Sequence, residues 1–245
     1  FSSDLSGSTS SPPPLHVSQQ NFDGIQDGTG HGLLVLPDQS ALWYASRLDS
    51  RVYTWSLPDL EFRGGIEVGP SPQWLTATPD SGTLYVSLVG SMETVALDTK
   101  TQETTWIPVP GDPVQHYLPA MQWLSEDFLL IQQMNRKQNQ LNIFTYKPST
   151  AELKKVYTET EDTWVDLRYP DISSNQWGNN DQLIVDNGKA FLRMTENDGW
   201  RHIYKVDLAS GEKILLTPGD YDVATYYQTD DKNLYIVASP DNATQ

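Results

Sequence analysis

A repeat constrains this chain more than any other feature. Pro37-Asp38 returns as Pro79-Asp80, Leu42-Trp43-Tyr44-Ala45-Ser46 as Leu84-Tyr85-Val86-Ser87, and Gly69-Pro70-Ser71-Pro72 as Gly111-Asp112-Pro113, each time 42 residues on. A period of that length holds about four short strands, the size of one blade of a β-propeller. A lone four-stranded sheet has two faces to cover, and radial stacking covers both with neighbouring sheets. The pattern predicts strands at 32–36, 41–46, 51–56 and 61–68, then at 73–78, 83–88, 93–97 and 103–109. Runs of Val, Ile, Leu, Tyr, Trp and Thr alternate with Asp, Gly, Pro and Ser turns, and no stretch of helical length carries a 3.6-residue period.

The second half keeps this logic with different wording. Strands are expected at 118–123, 127–134, 140–146 and 152–158, then at 182–186, 189–195, 201–207 and 212–217, and finally at 222–228 and 233–238. Asp98-Thr99-Lys100-Thr101, Lys147-Pro148-Ser149-Thr150 and Asp207-Leu208-Ala209-Ser210-Gly211 have the chemistry of outer hairpin turns. The expected fold is therefore all-β, a small propeller of about five four-stranded blades. It has four full blades and two strands of a fifth. Residues 1–14 are rich in Ser, Gly and Pro and are expected to form a flexible tail ahead of one propeller domain over 15–245. The segment Leu15–Phe22 is a spare strand, expected to pair beside 233–238 and close the ring. Phe1 and Gln245 read as cut or processed ends rather than natural termini.

Composition narrows the function classes. Lys and Arg number 16 against 32 Asp and Glu, a net charge of −16. Such a surface repels phosphate backbones and anionic lipid, so neither nucleic acid nor a membrane is an expected partner. The absence of Cys excludes disulfides, thiolate catalysis and Cys-ligated zinc, and leaves the compartment open. No apolar run reaches the roughly 18 residues of a membrane span.

Two resemblances emerge. His31-Gly32-Leu33…Leu36-Pro37-Asp38, Val52-Tyr53…Ser56-Leu57-Pro58-Asp59-Leu60, Val68-Gly69…Pro72, Thr78-Pro79-Asp80…Leu84-Tyr85-Val86-Ser87 and Leu97-Asp98-Thr99-Lys100-Thr101 resemble YVTN/YncE-like, lactonase-like propeller repeats over about 28–113. From about 116 to 245 the chain is similar to the N-terminal propeller of dipeptidyl peptidase IV, of the S9 serine peptidases. This similarity is carried by Trp123, Asn135-Arg136-Lys137-Gln138-Asn139, Glu161-Asp162-Thr163-Trp164-Val165-Asp166, Glu196-Asn197-Asp198-Gly199-Trp200-Arg201-His202-Ile203-Tyr204, Leu216-Thr217-Pro218-Gly219-Asp220-Tyr221-Asp222-Val223 and Ala238-Ser239-Pro240-Asp241-Asn242. The second resemblance implies later blades of an eight-bladed propeller covering an α/β-hydrolase domain. The chain departs from that family in lacking the hydrolase domain and any Gly-x-Ser-x-Gly elbow, since Gly69-Pro70-Ser71-Pro72-Gln73 fails at its last position. The family's paired glutamates for the substrate amine have no counterpart in 1–115. Blades of one kind over 15–113 and another over 114–245 imply a chimera, engineered or recombined, with its seam between Val109 and Tyr117.

The titratable residues form no catalytic set. His16, His31, His116 and His202 lack metal-binding spacing, so no metal, cofactor or catalytic residue is assigned. His31 and His116 precede inner strands, facing the channel or its mouth; His202 is expected to hydrogen-bond within its sheet. Glu159, Glu161, Asp162 and Asp166, Asp220 and Asp222, and Asp230 and Asp231 read as solvated loop charge, because none has the spacing of a calcium loop. Trp43, Tyr44, Trp55, Trp74, Tyr85, Trp106, Trp123 and Trp200 fall where blade faces meet and are expected in the core. Trp164 and Trp177 lie with Tyr169 in the long 159–181 segment, the candidate ligand loop, since a long loop in a compact domain tends to carry function.

Three functional readings follow. The leading one is a non-catalytic propeller scaffold without enzyme activity. The second is a peptidase-associated propeller that gates access to a hydrolase domain encoded elsewhere, distinguished by catalytic sequence beyond Gln245. The third is a lactonase-like ligand-binding propeller, distinguished by carboxylates and His at the channel mouth. Open blade edges offer self-association, because an unpaired edge is a template for another strand.

Overall fold

The computed structural model of the protein describes residues 30–167, 183–228 and 233–238. All described elements are strands. The first sheet holds β1 (Gly30–Val35), β2 (Ala41–Ser46), β3 (Arg51–Ser56) and β4 (Phe62–Glu67), and the second β5 (Pro72–Ala77), β6 (Thr83–Leu88), β7 (Glu93–Asp98) and β8 (Thr104–Pro108). The third holds β9 (His116–Trp123), β10 (Leu129–Asn135), β11 (Gln140–Lys147) and β12 (Glu152–Thr160). The fourth holds β13 (Leu183–Val185), β14 (Ala190–Thr195), β15 (His202–Asp207) and β16 (Lys213–Leu215), and β17 (Val223–Gln228) pairs with β18 (Leu234–Ala238) in a fifth. Strands lie in chain order and pair antiparallel, as expected of propeller blades.

The repeat extends into the backbone. Gln39, Ser50 and Leu60 adopt positive φ of 55–59°, and Ser81, Met92 and Gln102, each 42 residues on, adopt 59–64°. The turn hydrogen bonds repeat with them. Gln39 N–H donates to Leu36 O at 2.8 Å, and Ser81 N–H to Thr78 O at 2.8 Å. Leu60 N–H donates to Ser56 O and Gln102 N–H to Asp98 O, both at 2.9 Å. Asp98 Oδ1 accepts the N–H groups of Lys100 and Thr101 at 2.8 and 2.7 Å, and Asp207 Oδ1 accepts those of Ala209 and Ser210 at 3.0 and 2.8 Å. These are side-chain-capped turns of the kind short Asp side chains favour, and they fall on the outer hairpins expected from the sequence.

One apolar cluster separates each pair of consecutive sheets. Trp43, Ala45 and Val52 of the first sheet meet Leu84, Val86 and Leu97 of the second. Tyr85 and Met92 meet Leu118, Met121 and Leu129 of the third, with Trp123 edge-on to Tyr85 at 5.3 Å. Leu130, Leu141 and Tyr157 meet Phe191 and Val206 of the fourth, and Leu192 and Ile203 meet Val223 of the fifth. The contact between second and third sheets, where the sequence wording changes, is built like the others. Two glycines set the closeness of the stack. A Cβ on Gly32 would strike Gln73 O, and one on Gly211, at φ +76°, would strike Val156 O, so β1–β5 and the β15–β16 turn against β12 both depend on a missing side chain.

Some expectations need correction. β13 and β16 are three residues each, shorter than 182–186 and 212–217. The Thr217 hydroxyl accepts the Ile203 N–H at 3.0 Å in place of a carbonyl, which ends the ladder early. Trp106 is 45% exposed rather than core, because β8 is an outer strand and the indole lies over Gly69. Tyr44, Trp74, Trp123 and Trp200 are only partly buried. The tail 1–14 and the closing strand Leu15–Phe22 lie outside the described residues.

Candidate functional site at the seam of the third and fourth blades

The segment after β12 is held by two backbone bonds to the β10–β11 turn: Glu161 N–H to Asn139 O at 3.0 Å and Val165 N–H to Gln138 O at 2.7 Å. That turn is itself clamped. Asn135 Oδ1 accepts the N–H groups of Asn139 and Gln140 at 3.0 and 3.1 Å, and Asn135 Nδ2 donates to Asn139 Oδ1 at 2.7 Å. The Asn-Arg-x-Gln-Asn motif is thus a turn device. Pinned this way, the segment projects Trp164 into solvent, 70% exposed.

Trp164 borders a cavity of about 510 Å³ with Tyr117, Met134, Gln138, Val165 and Asp166. Gln138 Nε2 donates to the Tyr117 hydroxyl at 3.1 Å, and the Arg136 guanidinium sits over the Tyr117 ring, 5.3 Å from its centre. Burial pushes the Tyr117 hydroxyl above its ordinary pKa.

Behind this wall Arg193 on β14 reaches Glu159 on β12, with Nε 2.5 Å from Oε2 and Nη2 3.0 Å from Oε1. Arg193 Nη2 also donates to Asp166 O at 2.6 Å, and the Thr195 hydroxyl donates to Glu159 Oε1 at 2.7 Å. Arg201 approaches the Asp166 carboxylate at 3.6 Å. Asn197 donates to Glu161 and accepts from Lys213 Nζ at 2.9 Å. This corrects the reading of Glu159 as solvated loop charge: it lies on a strand, buried, with its charge matched by Arg193. The sequence signal was present but not singled out, namely one Arg inside the apolar strand Ala190-Phe191-Leu192-Arg193-Met194-Thr195.

A second cluster sits in the β14–β15 turn. Asp198 Oδ2 lies 2.9 Å from His202 Nδ1 and accepts from the Tyr204 hydroxyl at 2.7 Å. Burial would raise the Asp198 pKa, yet the Tyr204, His202 and Trp200 hydrogen bonds hold it below the usual carboxylate range. Burial, together with the Asp198 bond, pushes Tyr204 up to about 12. His202 is buried edge-on to Tyr221 at 5.8 Å. Its side-chain partner is therefore a turn carboxylate rather than a group within the sheet. His116 opens β9, its Nδ1 3.2 Å from Asp112 O.

The cavity offers an aromatic platform, an amide, a phenol and a carboxylate. An exposed indole beside an amide and a phenol can stack on and hydrogen-bond a bound group. Among the described residues no three His, Asp or Glu gather as a metal site. Of the candidate loop residues, Trp164 falls in the site, whereas Tyr169 and Trp177 lie outside the described residues. Tyr117, Met134 and Gln138 were not anticipated, because the fold brings them to Trp164 from a different part of the blade.

Residues 32–245 match the family described as the N-terminal region of dipeptidyl peptidase IV. The chain belongs to that family. The matched range includes Val109–Tyr117. Among curated relatives, dipeptidyl peptidase 4 of Trichophyton rubrum is 30% identical over 232 residues, and dipeptidyl peptidase 4 of Arthroderma otae 27%. Each alignment covers 88% of this chain but only 28% of the relative. The chain thus spans under a third of the length of these relatives. In structure it is similar to dipeptidyl peptidase 4 of Porphyromonas gingivalis, with a TM-score of 0.62 at 15% identity over 84% of this chain and 35% of that one. A putative 6-phosphogluconolactonase of Bacteroides uniformis gives 0.53 at 18% identity, over 76% and 53%. Similarity at these identities establishes the propeller fold alone.

Proposed function

We propose that this chain is a non-catalytic part of the propeller of a dipeptidyl peptidase IV-like serine peptidase, serving to gate and position substrate for a hydrolase domain. The observation that carries this reading is the family match over 32–245. One family match that spans the 109–117 window supports a single propeller, in which the 42-residue repeat follows from blade duplication; a join near 113–117 between YVTN-like blades and dipeptidyl peptidase IV-like blades is the alternative reading. The Trp164 cavity, on the loop side of the third blade, fits a role in holding a peptide side chain while chemistry proceeds elsewhere.

The test is direct. The purified chain is incubated with an Xaa-Pro dipeptide reporter and, separately, with a fluorophosphonate that labels activated serines. The expected result is neither hydrolysis above buffer nor a covalent adduct. Hydrolysis that co-purifies with the chain and is abolished by the fluorophosphonate would overturn the reading.

A further inference from the structure

We propose that Asn187-Gly188, at the tip of the β13–β14 hairpin, is a site of spontaneous covalent modification. There the chain closes to a succinimide and reopens as isoaspartate or aspartate. Asn followed by Gly occurs once in the sequence. The reaction favours that pair, because the backbone nitrogen of the second residue must reach the side-chain carbonyl of the first, and Gly puts no Cβ in the way. The step balances without oxidant, metal or enzyme. Gly188 N gives up its proton and bonds to Asn187 Cγ. The Cγ–Nδ2 bond breaks, and the amide nitrogen leaves with that proton as ammonia. Water then opens the five-membered ring. Attack at the Asn187 backbone carbonyl leaves isoaspartate, with the chain running through the side chain, and attack at Cγ leaves aspartate.

The fold leaves this pair free to react. Asn187 is exposed, and the turn is closed by one long bond, Lys189 N–H to Asp186 O at 3.3 Å, which spans Asn187 and Gly188 without using either nitrogen. β13 is three residues long and lies at the edge of its sheet, matched to β14 only from Leu183–Leu192 to Val185–Ala190. A hairpin tip on so short an edge strand opens locally at little cost, which frees the backbone for ring closure. Other asparagines are held. Asn135 and Asn139 bond each other, Asn142 Nδ2 donates to Gln133 Oε1 at 2.8 Å inside its sheet, and Asn197 bridges Glu161 and Lys213. Asp198-Gly199 has the same glycine, but ring closure there needs a free, protonated carboxyl. Asp198 instead lies 2.9 Å from His202 Nδ1 and accepts from the Tyr204 hydroxyl at 2.7 Å. Burial opposes its charge, yet these bonds hold it below the usual carboxylate range.

The product bears on the seam beneath the Trp164 cavity. A Cβ on Gly188 would sit 2.9 Å from Leu124 O and 3.4 Å from Ser125 Cβ. Leu124 belongs to the apolar cluster that joins the third and fourth sheets, together with Val165 and Phe191. Isoaspartate adds one backbone carbon at this contact, so the turn is forced off Leu124 and the seam loosens.

The inference stands apart from the peptidase reading, since it needs neither substrate nor hydrolase. The test incubates the purified chain in mildly alkaline buffer, folded and, in parallel, unfolded in urea. Mass spectrometry with electron-transfer fragmentation separates isoaspartate from aspartate at each position. Methylation by an isoaspartyl carboxyl methyltransferase with labelled S-adenosylmethionine counts the isoaspartate. The expected result is conversion at Asn187 in the folded chain at a rate within about tenfold of the unfolded one, as a low-cost opening implies. Isoaspartate at position 198 appears only after unfolding. Asn187→Gln, which would have to close a six-membered ring, takes up no label in the folded state. The converted chain, separated by anion exchange, melts at a lower temperature than its parent. The wild-type measurement stands without any variant. A folded chain that stays unmodified at Asn187 while the unfolded chain converts overturns the proposal. So does conversion no faster than at Asn135, Asn139 or Asn142, or an Asn187→Gln chain that takes up the same label. An unchanged melting temperature overturns the link to the seam.

Discussion

Arg193 and Glu159 meet as a bidentate pair across two blades, 2.5 Å from Nε to Oε2 and 3.0 Å from Nη2 to Oε1, with each side chain 1% exposed. Two charges removed from water this completely gain little net stability over apolar residues of the same volume, but each is costly without the other. Arg193→Met is therefore expected to destabilise the fold by about 3–5 kcal/mol, and Glu159→Leu similarly. The double variant should lose far less than the sum. Urea unfolding of the four proteins in a double-mutant cycle measures this, and additive losses would show that the two side chains act independently.

The aromatics test the blade interfaces. Trp55→Ala removes a buried indole packed on Phe62 at 5.5 Å and should cost about 3–5 kcal/mol. Trp123 is only partly buried against Tyr85, so Trp123→Ala belongs at the lower end, about 3 kcal/mol. Denaturant midpoints at constant slope give both values. A loss below about 1 kcal/mol for Trp55 would place it outside the core.

Trp164→Ala should leave stability within about 0.5 kcal/mol of the wild type, as at other exposed positions. Its effect should appear instead in peptide binding, read by titration calorimetry with a panel of short peptides. A large stability loss with unchanged binding would make Trp164 a packing residue.

Gly211→Ala should destabilise by about 1–3 kcal/mol, combining a positive φ with a Cβ directed at the Val156 carbonyl. Thermal melting checks this. Gly199→Ala is the control: it also has positive φ, but nothing lies within 4 Å of an added Cβ, so its loss should be smaller.

Turn carboxylates set the acid limit. The Thr101 and Lys100 N–H groups hold Asp98 below the usual range, and the Ser210 N–H and hydroxyl do the same for Asp207. A carboxylate whose folded pKa is depressed contributes stability that is fully present above its unfolded pKa of about 3.9 and is lost as pH falls through the folded value. The unfolding midpoint should thus drop below about pH 4. The drop should be shallower in an Asp98→Ala, Asp207→Ala double variant, and equal slopes would exclude these turns as the cause.

The sequence by itself determined the all-β class and nearly every described strand, because each strand is a local pattern of alternating apolar residues ended by a turn. Leu42-Trp43-Tyr44-Ala45-Ser46 and its copy at Leu84 carry that pattern in their own composition. It also placed the capped turns at Asp98 and Asp207, where the capping carboxylate and the N–H groups it binds lie within three residues. Only the tertiary structure decided which charges are buried. Glu159 is one of several acidic residues in its stretch, and what distinguishes it is Arg193, 34 residues away on the next blade. The same holds for the cavity, where Tyr117 and Gln138 reach Trp164 only once β9, the β10–β11 turn and the segment after β12 come together. Periodicity reports which face of a strand is apolar, whereas pairing across blades depends on the stacking of sheets, which no local spacing encodes.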